Sequence, residues 1–167
     1  MMKDWYNNMV KKISAEDFST LEQLIKEQQL FHYNLDTSNN ERFLKIGVKE
    51  FTEYMEEETD YICLAAYDSK EATGFIACTI SDSTEAFIED IFVKKEHRYN
   101  GVGNKLMNSL LELLKSKNSI TIKVHITRNN EGVFPFYEKY GFLLESNDDT
   151  GYIMCKNNDS LCKGVNP

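Results

Sequence analysis

Between Phe87 and Leu114 the chain reads F-I-E-D-I-F-V-K-K-E-H-R-Y-N-G-V-G-N-K-L-M-N-S-L-L-E-L-L, and two kinds of chemistry sit in that stretch. Arg98, Gly101 and Gly103 have the spacing R-x-x-G-x-G, and helical periodicity starts at the second glycine. A glycine turn feeding a helix presents backbone N–H groups that lack intrahelical acceptors, together with the positive end of the helix dipole. Such a turn is a site for a phosphate or pyrophosphate. Its glycines permit close backbone approach or a positive φ. Just upstream, Glu89 and Asp90 are adjacent carboxylates on a strand. Strict alternation groups Glu89 with Phe87, Ile91 and Val93 on one face, and Asp90 with Ile88 and Phe92 on the other. Apolar neighbours raise a carboxyl pKa, which is what a proton acceptor at neutral pH needs. Other nucleotide loops do not fit. There is no G-x-x-x-x-G-K-[ST], and G-x-G-x-x-G would need a glycine where Leu106 stands.

Strand, R-x-x-G-x-G, helix, second strand, Asn130 and then F-Y-E-K-Y-G-F from Phe136 to Phe142 follow one another in an order that resembles the GNAT family of N-acetyltransferases. The resemblance is specific over residues 60–156 and architectural before that. It implies an α/β fold with a mixed, mostly antiparallel central sheet and helices on both faces. It also implies acetyl-CoA as cofactor, CoA as product, and direct transfer in a ternary complex to a primary amine of a small cationic acceptor. The segment I-E-D-I-F-V further resembles the corresponding strand of diamine (spermidine/spermine-type) and streptothricin acetyltransferases. Two other readings stand beside this one: a non-catalytic acyl-CoA-binding or regulatory module on the same fold, and a protein N-terminal or lysine acetyltransferase. Retention of Glu89, Asn130 and Tyr137 favours an enzyme, because a binding module needs the loop and not these residues.

The resemblance assigns roles that the chemistry requires. An alkyl amine has a pKa of about 10, so at neutral pH it is almost all ammonium and cannot attack a thioester. A base beside it is therefore useful, and Glu89 is the candidate. A β-bulge, common at this point in the family, would exchange Glu89 and Asp90, and the plain structural alternative pairs Glu89 with a cross-strand lysine such as Lys123. Tyr137 is the candidate to protonate or hydrogen-bond the departing thiolate, while Tyr140 and Phe142 are assigned to the core. Asn130, seven residues ahead of Tyr137, meets the cofactor in the resemblance, with Asn129 as the competing choice. Arg98, Tyr99, Asn100, Gly101, Val102, Gly103, Asn104 and Lys105 would wrap the pyrophosphate through backbone N–H groups, Arg98 and Lys105 adding charge. Ile91, Phe92 and Val93 would offer main-chain bonds to the pantetheine arm. Phe31 and Tyr33 are candidates for the acceptor pocket along with Glu89 and Asp90. The alternative for the cluster Phe31-His32-Tyr33 is core packing.

Positioning these groups takes a set of elements that the patterning predicts. A first strand covers Met9 to Ser14, and Ser14-Ala-Glu-Asp17 resembles a capping box opening a helix from Asp17 to Gln29. Phe18, Leu21 and Leu24/Ile25 form its apolar stripe, and Phe31 to Tyr33 end it. A full capping box, Ser38-Asn-Asn-Glu41, opens a second helix running to Glu57. Strands follow at Tyr61 to Tyr67, Thr73 to Ser81 and Glu85 to Val93. After a central helix with Val102, Leu106, Leu110 and Leu113/Leu114 on one face, Ile120 to Thr127 alternates as a strand. Pro135 is tolerable only in a first turn, so the last helix starts near Val133 or Phe134 and is stopped by Gly141. Strands at Phe142 to Glu145 and Tyr152 to Lys156 close a single domain of residues 1–156, and residues 157–167 form a polar tail.

Composition excludes several classes. A net charge of -8 argues against nucleic acid as partner and leaves small cations as natural ones. No apolar run approaches the ~18 residues of a membrane span, so neither a membrane nor a signal segment is expected. Cys63, Cys78, Cys155 and Cys162 show no metal-ligand spacing, and free thiols in the cytoplasm with no metal site are the simplest reading. Glu56-Glu57-Glu58, Glu85, Glu89-Asp90 and Asp148-Asp149 fall near element ends and would form an acidic rim. The resemblance also admits a homodimer.

Overall fold

The computed structural model describes residues 7–35, 48–57, 60–81, 84–117 and 121–157. Seven strands, β1 (Asn7–Lys12), β2 (Tyr61–Asp68), β3 (Glu71–Ser81), β4 (Glu85–Val93), β5 (Thr121–Thr127), β6 (Leu143–Asn147) and β7 (Gly151–Asn157), form one sheet. Their order is β1-β2-β3-β4-β5-β7-β6. Every neighbouring pair is antiparallel except β4 and β5, which run parallel. A parallel pair needs a crossover, and α3 (Val102–Ser116) supplies it. The expected mixed, mostly antiparallel sheet is present.

Helices cover both faces. On one, α3 buries Val102, Leu106, Met107, Leu110 and Leu114, the three-and-four spacing read from the sequence, against Ile62, Leu64, Ile76, Ile88, Ile122 and Val124. Truncating one of these, for example Leu110→Ala, removes roughly 2–5 kcal/mol. On the other face a 3-10 turn (Ala15–Leu21), α1 (Glu22–Leu35) and α2 (Val48–Glu57) pack Phe18, Leu21, Leu24, Ile25 and Phe51 on Cys63, Ala65, Phe75 and Ala77. The small sheet residues there leave room for the rings above them, with Phe18 and Phe51 at 5.3 Å and Phe51 and Phe75 at 5.9 Å between centroids. β3 is buried without interruption from Thr73 to Ile80, as a central strand covered on both faces must be.

Three expectations need correction. The first helix opens as a 3-10 turn, with the Ser14 hydroxyl on the Asp17 carboxylate (3.2 Å) and not on a backbone N–H, so no capping box forms. Phe31 to Tyr33 do not end that helix, which continues to Leu35. The last helix, α4 (Phe134–Glu138), is shorter than predicted and follows a 3-10 turn over Glu131–Val133. Pro135 stands in its first turn and Gly141, at φ 84°, stops it as expected. The capping box at Ser38 to Glu41, Cys162 and the tail beyond Asn157 lie outside the described residues.

Candidate functional site

β4 carries the site because its ladder is irregular. Opposite it, Ala77 pairs with Asp90 while the next residue, Cys78, pairs with Ile88, which leaves Glu89 as the extra residue of a β-bulge. Alternation is reset there. Ala86 and Ile88 face α3, and so do Ile91 and Val93, whereas Phe92 joins the core under α1. The predicted grouping of Glu89 with Ile91 and Val93 is therefore wrong. Both carboxylates turn to the α1 side. The Thr79 hydroxyl donates to Glu89 Oε1 at 2.6 Å, and Gln28 Nε2 of α1 donates to Asp90 Oδ1. Burial, and then the neighbouring Glu89 charge, push the Asp90 carboxyl up to about 7. Lys123, the lysine weighed as a partner for Glu89, stands opposite Phe87 and is paired with Glu85 (3.3 Å) and Glu145 (3.6 Å).

Beyond the bulge the sheet opens. The β4–β5 register ends at Ile88 and Val124, although β4 continues to Val93 and β5 to Thr127. Lys94 donates its N–H to the Thr73 carbonyl of the β3 side (2.9 Å), so alternation turns the N–H and C=O of Ile91 and Val93 toward the slit. Of the three residues expected to offer main-chain bonds, Ile91 presents its N–H and C=O and Val93 its N–H, the Val93 carbonyl being taken by Arg98, while those of Phe92 face β3.

The glycine loop lies at the end of this slit. Gly101 (φ 80°) is the residue before α3 and its carbonyl accepts the N–H of Lys105 at 3.0 Å. The N–H groups of Val102, Gly103 and Asn104 have no intrahelical acceptor, as in any first turn. Gly101 is required for its φ, since a Cβ there would meet nothing within 4 Å. Gly103 has no such constraint, and its Cβ would come to 3.5 Å from the Phe136 ring, an ordinary contact. Tyr99, Asn100 and Lys105 are exposed, and Tyr99 holds a positive φ of 62°. Asn104 is tied to α4 and the segment after it, its amide oxygen accepting from Lys139 Nζ and from the Tyr140 hydroxyl (3.1 Å). Arg98 turns back from the loop. Its Nε donates to the Val93 carbonyl at 2.9 Å, and its guanidinium sits over the rings of Phe31 (5.2 Å) and Phe92 (5.4 Å).

The far wall comes from the segment after β5. Asn129 occupies the left-handed region (φ 67°), which Asn tolerates better than other side chains with a Cβ, and donates Nδ2 to the Leu35 carbonyl at 3.0 Å. The Asn130 side chain makes no hydrogen bond among the described residues, which leaves it, of the two, available to a ligand. Tyr137 is buried between Phe136 (5.3 Å) and Phe142 (5.6 Å), and burial, then the Asp90 charge, raise its hydroxyl pKa. Tyr140, assigned to the core, is only partly buried.

α1 closes the site with one face. Gln28, Phe31 and Leu35 reach Asp90, the Arg98–Phe92 stack and Asn129 respectively. Phe31 is thus brought to the site, while Tyr33 is partly buried and joins none of these contacts. Gln28, Thr79 and Gly74 were not foreseen. A Cβ on Gly74 would lie 2.8 Å from the Phe92 carbonyl oxygen, so β3 could not close on β4 with a larger residue there. Gln28 had a legible signal, since it continues the stripe of Leu21, Leu24 and Ile25. The acidic rim does not assemble as expected: Glu85 pairs with Lys123, and Asp148 accepts from the Thr150 hydroxyl and the N–H groups of Thr150 and Gly151 in the β6–β7 turn. A first-turn anion cradle, an opening clear of side chains above Gly101 and an unpaired strand edge leading to buried polar groups together fit an extended pyrophosphate ligand with a polar arm.

Three comparisons bear on this arrangement. A sequence model described as the acetyltransferase (GNAT) family matches residues 21–142. Spermidine N(1)-acetyltransferase of Thermoplasma acidophilum is 24% identical over 158 residues, covering 90% of this chain and 98% of that one. Streptothricin acetyltransferase A of Bacillus subtilis is 28% identical over 128 residues, 73% of each chain. Among solved structures, PaiA N-acetyltransferase from Thermoplasma acidophilum in complex with coenzyme A superposes with a TM-score of 0.77 at 23% identity, over 90% of this chain and 99% of that chain.

Proposed function

The chain belongs to the GNAT acetyltransferase family and is an acetyl-CoA-dependent N-acetyltransferase, and from that premise we propose that it acetylates a primary amine of a small cationic acceptor by direct transfer in a ternary complex. The observation that carries the finer reading is the bulge, which turns Glu89 and Asp90 to the same side at the mouth of the slit. When bound, acetyl-CoA supplies an acetyl group activated as a thioester. The N–H groups of Val102, Gly103 and Asn104, with the loop from Arg98 to Gly101, hold the pyrophosphate, and Lys105 adds charge. The slit-facing main chain of Ile91 and Val93 takes the arm, with Asn130 on the opposite wall.

Glu89 and Asp90 act as one proton acceptor. Asp90, its carboxyl held at about 7 by burial and the adjacent Glu89 charge, is part-protonated at neutral pH and able to take a proton from an ammonium. The same pair supplies the negative charge that attracts a cation. Tyr137 keeps its proton throughout the neutral range, so it serves as a donor toward the sulfur and not as a base. Burial pushes the thiols of Cys63 and Cys78 up to about 12, which makes them poor nucleophiles and supports direct transfer over an acyl-enzyme. Relatives named for spermidine and streptothricin support an acceptor with more than one amine. No described helix is long and apolar enough to cross a membrane, and no group of three or more potential metal ligands occurs among the described residues.

The test is thiol release from acetyl-CoA against polyamines, streptothricin, aminoglycosides, amino acids and peptide N-termini, at several salt concentrations. A polycationic acceptor is expected to give the highest kcat/KM, falling steeply with ionic strength while KM for acetyl-CoA changes little. A neutral preferred acceptor with salt-insensitive kinetics would refute the cationic reading. Binding of acetyl-CoA without transfer to any amine would favour the non-catalytic module.

A further inference from the structure

Gln28 is a polar side chain on the apolar stripe of α1, 9% exposed and following Leu24 and Ile25 at helical spacing. An amide buried in such a place is costly unless it is hydrogen-bonded. Its Nε2 donates to Asp90 Oδ1, one of the two carboxylates at the bulge. The titratable groups that act on or feel Asp90 come from three elements: Glu89 on its own strand, Cys63 on β2 and Tyr137 on α4. At neutral pH none of these is positive, and Glu89 opposes the Asp90 charge. Among the described residues, the hydrogen bond to the Asp90 carboxylate comes from α1 and not from the sheet.

We propose that Gln28 is a positioning residue of the transfer reaction, holding Asp90 at the bulge and favouring its ionised form by donating an N–H to it. The physical reason is that an N–H given to a carboxylate stabilises the anion selectively, against the burial and the like charge that disfavour it. Without the donor, the proton affinity of Asp90 is left to burial and Glu89 alone, and the pair would hold its proton too tightly to serve at neutral pH. Because the donor rides on α1, the basicity of the pair depends on how that helix is seated. Two further contacts seat it, Phe31 against Phe92 and Arg98, and the Leu35 carbonyl on Asn129. Amine binding and proton acceptance are in this way linked through one helix face. The inference rests on Glu89 and Asp90 being the proton acceptor.

The experiment is a carboxyl titration of the full chain by carbon-13 NMR, with the Asp90 signal identified by its loss in Asp90→Asn. Gln28→Met keeps the length and removes the donor. Its Asp90 midpoint is expected to rise by about one to two pH units, the equivalent of one hydrogen bond to a charged group. The acid limb of kcat/KM should move by the same amount, giving a roughly tenfold or larger loss at pH 7 that recovers near pH 9, with KM for acetyl-CoA unchanged. An unmoved midpoint, or an equal loss at every pH, would overturn the proposal. If Gln28→Met does not fold, Gln28→Leu also removes the donor without adding a charge and must raise the midpoint as well; a Gln28→Leu midpoint equal to wild type overturns it equally. Should no amine be acetylated by the wild-type protein, the proposed function fails while the NMR titration still decides the role of Gln28.

Discussion

Replacing Asp90 by Asn should make the protein more stable at alkaline pH while removing activity. The carboxyl has an ordinary value of 3.8 and is held at about 7 in the fold. A raised carboxyl binds its proton more tightly folded than unfolded, so its contribution to stability is full below the unfolded value and is lost as pH rises through the folded one. For these two values the loss between pH 5 and pH 8 is roughly 2.5 kcal/mol. Asn carries no proton to lose and can still accept from Gln28. Asp90→Asn should therefore gain roughly 2.5 kcal/mol on wild type between pH 5 and pH 8, or about 5–10 °C in Tm for a domain of this size. The assay is thermal and urea unfolding followed by circular dichroism at pH 5, 6, 7 and 8 for both proteins. Curves that run parallel across that range would show that Asp90 titrates normally, and the account of a strained proton acceptor at the bulge would be wrong. In the same variant kcat/KM should fall by about a hundredfold or more, the usual range for a positioned base.

Other outcomes follow from the same geometry. Tyr137→Phe should leave acetyl-CoA affinity intact and lower turnover by roughly 10²–10⁴, read from thiol release and from ligand-induced shifts in Tm. Unchanged turnover would mean that water or another group protonates the sulfur. Gly101→Ala should cost about 1–2 kcal/mol in unfolding experiments, because φ 80° is strained for any residue with a Cβ. Gly101→Val should abolish stabilisation by acetyl-CoA, since a side chain there would stand in the open space above the loop, with nothing of the protein within 4 Å of its Cβ; a full Tm shift in that variant would place the ligand elsewhere.

Much of this arrangement is legible in the sequence. β4 runs from Glu85 to Val93 in both the reading and the structure, because alternating large apolar residues bounded by turn signals leave little freedom. The bulge is harder, since phenylalanines at 87 and 92 hide it. Its trace is the step of three between Ile88 and Ile91 in an otherwise two-residue series that runs Ala86, Ile88, Ile91, Val93. The choice between Asn129 and Asn130 could not be made from spacing. A backbone dihedral and a contact ninety-four residues away in sequence engage Asn129, and the Asn130 side chain makes no hydrogen bond among the described residues. The rim of acids failed for a related reason: proximity to an element end does not say whether a carboxylate faces a ligand, a lysine or its own turn.

The slit between β4 and β5 has a consequence for how the resting protein meets solvent. In the middle of a seven-stranded sheet, amide protons would ordinarily be among the slowest to exchange with deuterium. Along β4 the bulge and the slit break that pattern residue by residue. The N–H groups of Phe92 and Lys94 are on the β3 side and should exchange only when the sheet opens, whereas those of Ile91 and Val93 face the gap and should exchange far sooner. Protection along this strand should therefore alternate with a period of two, fast at the odd positions and slow at the even ones, and filling of the gap by a hydrogen-bonding ligand would erase the alternation.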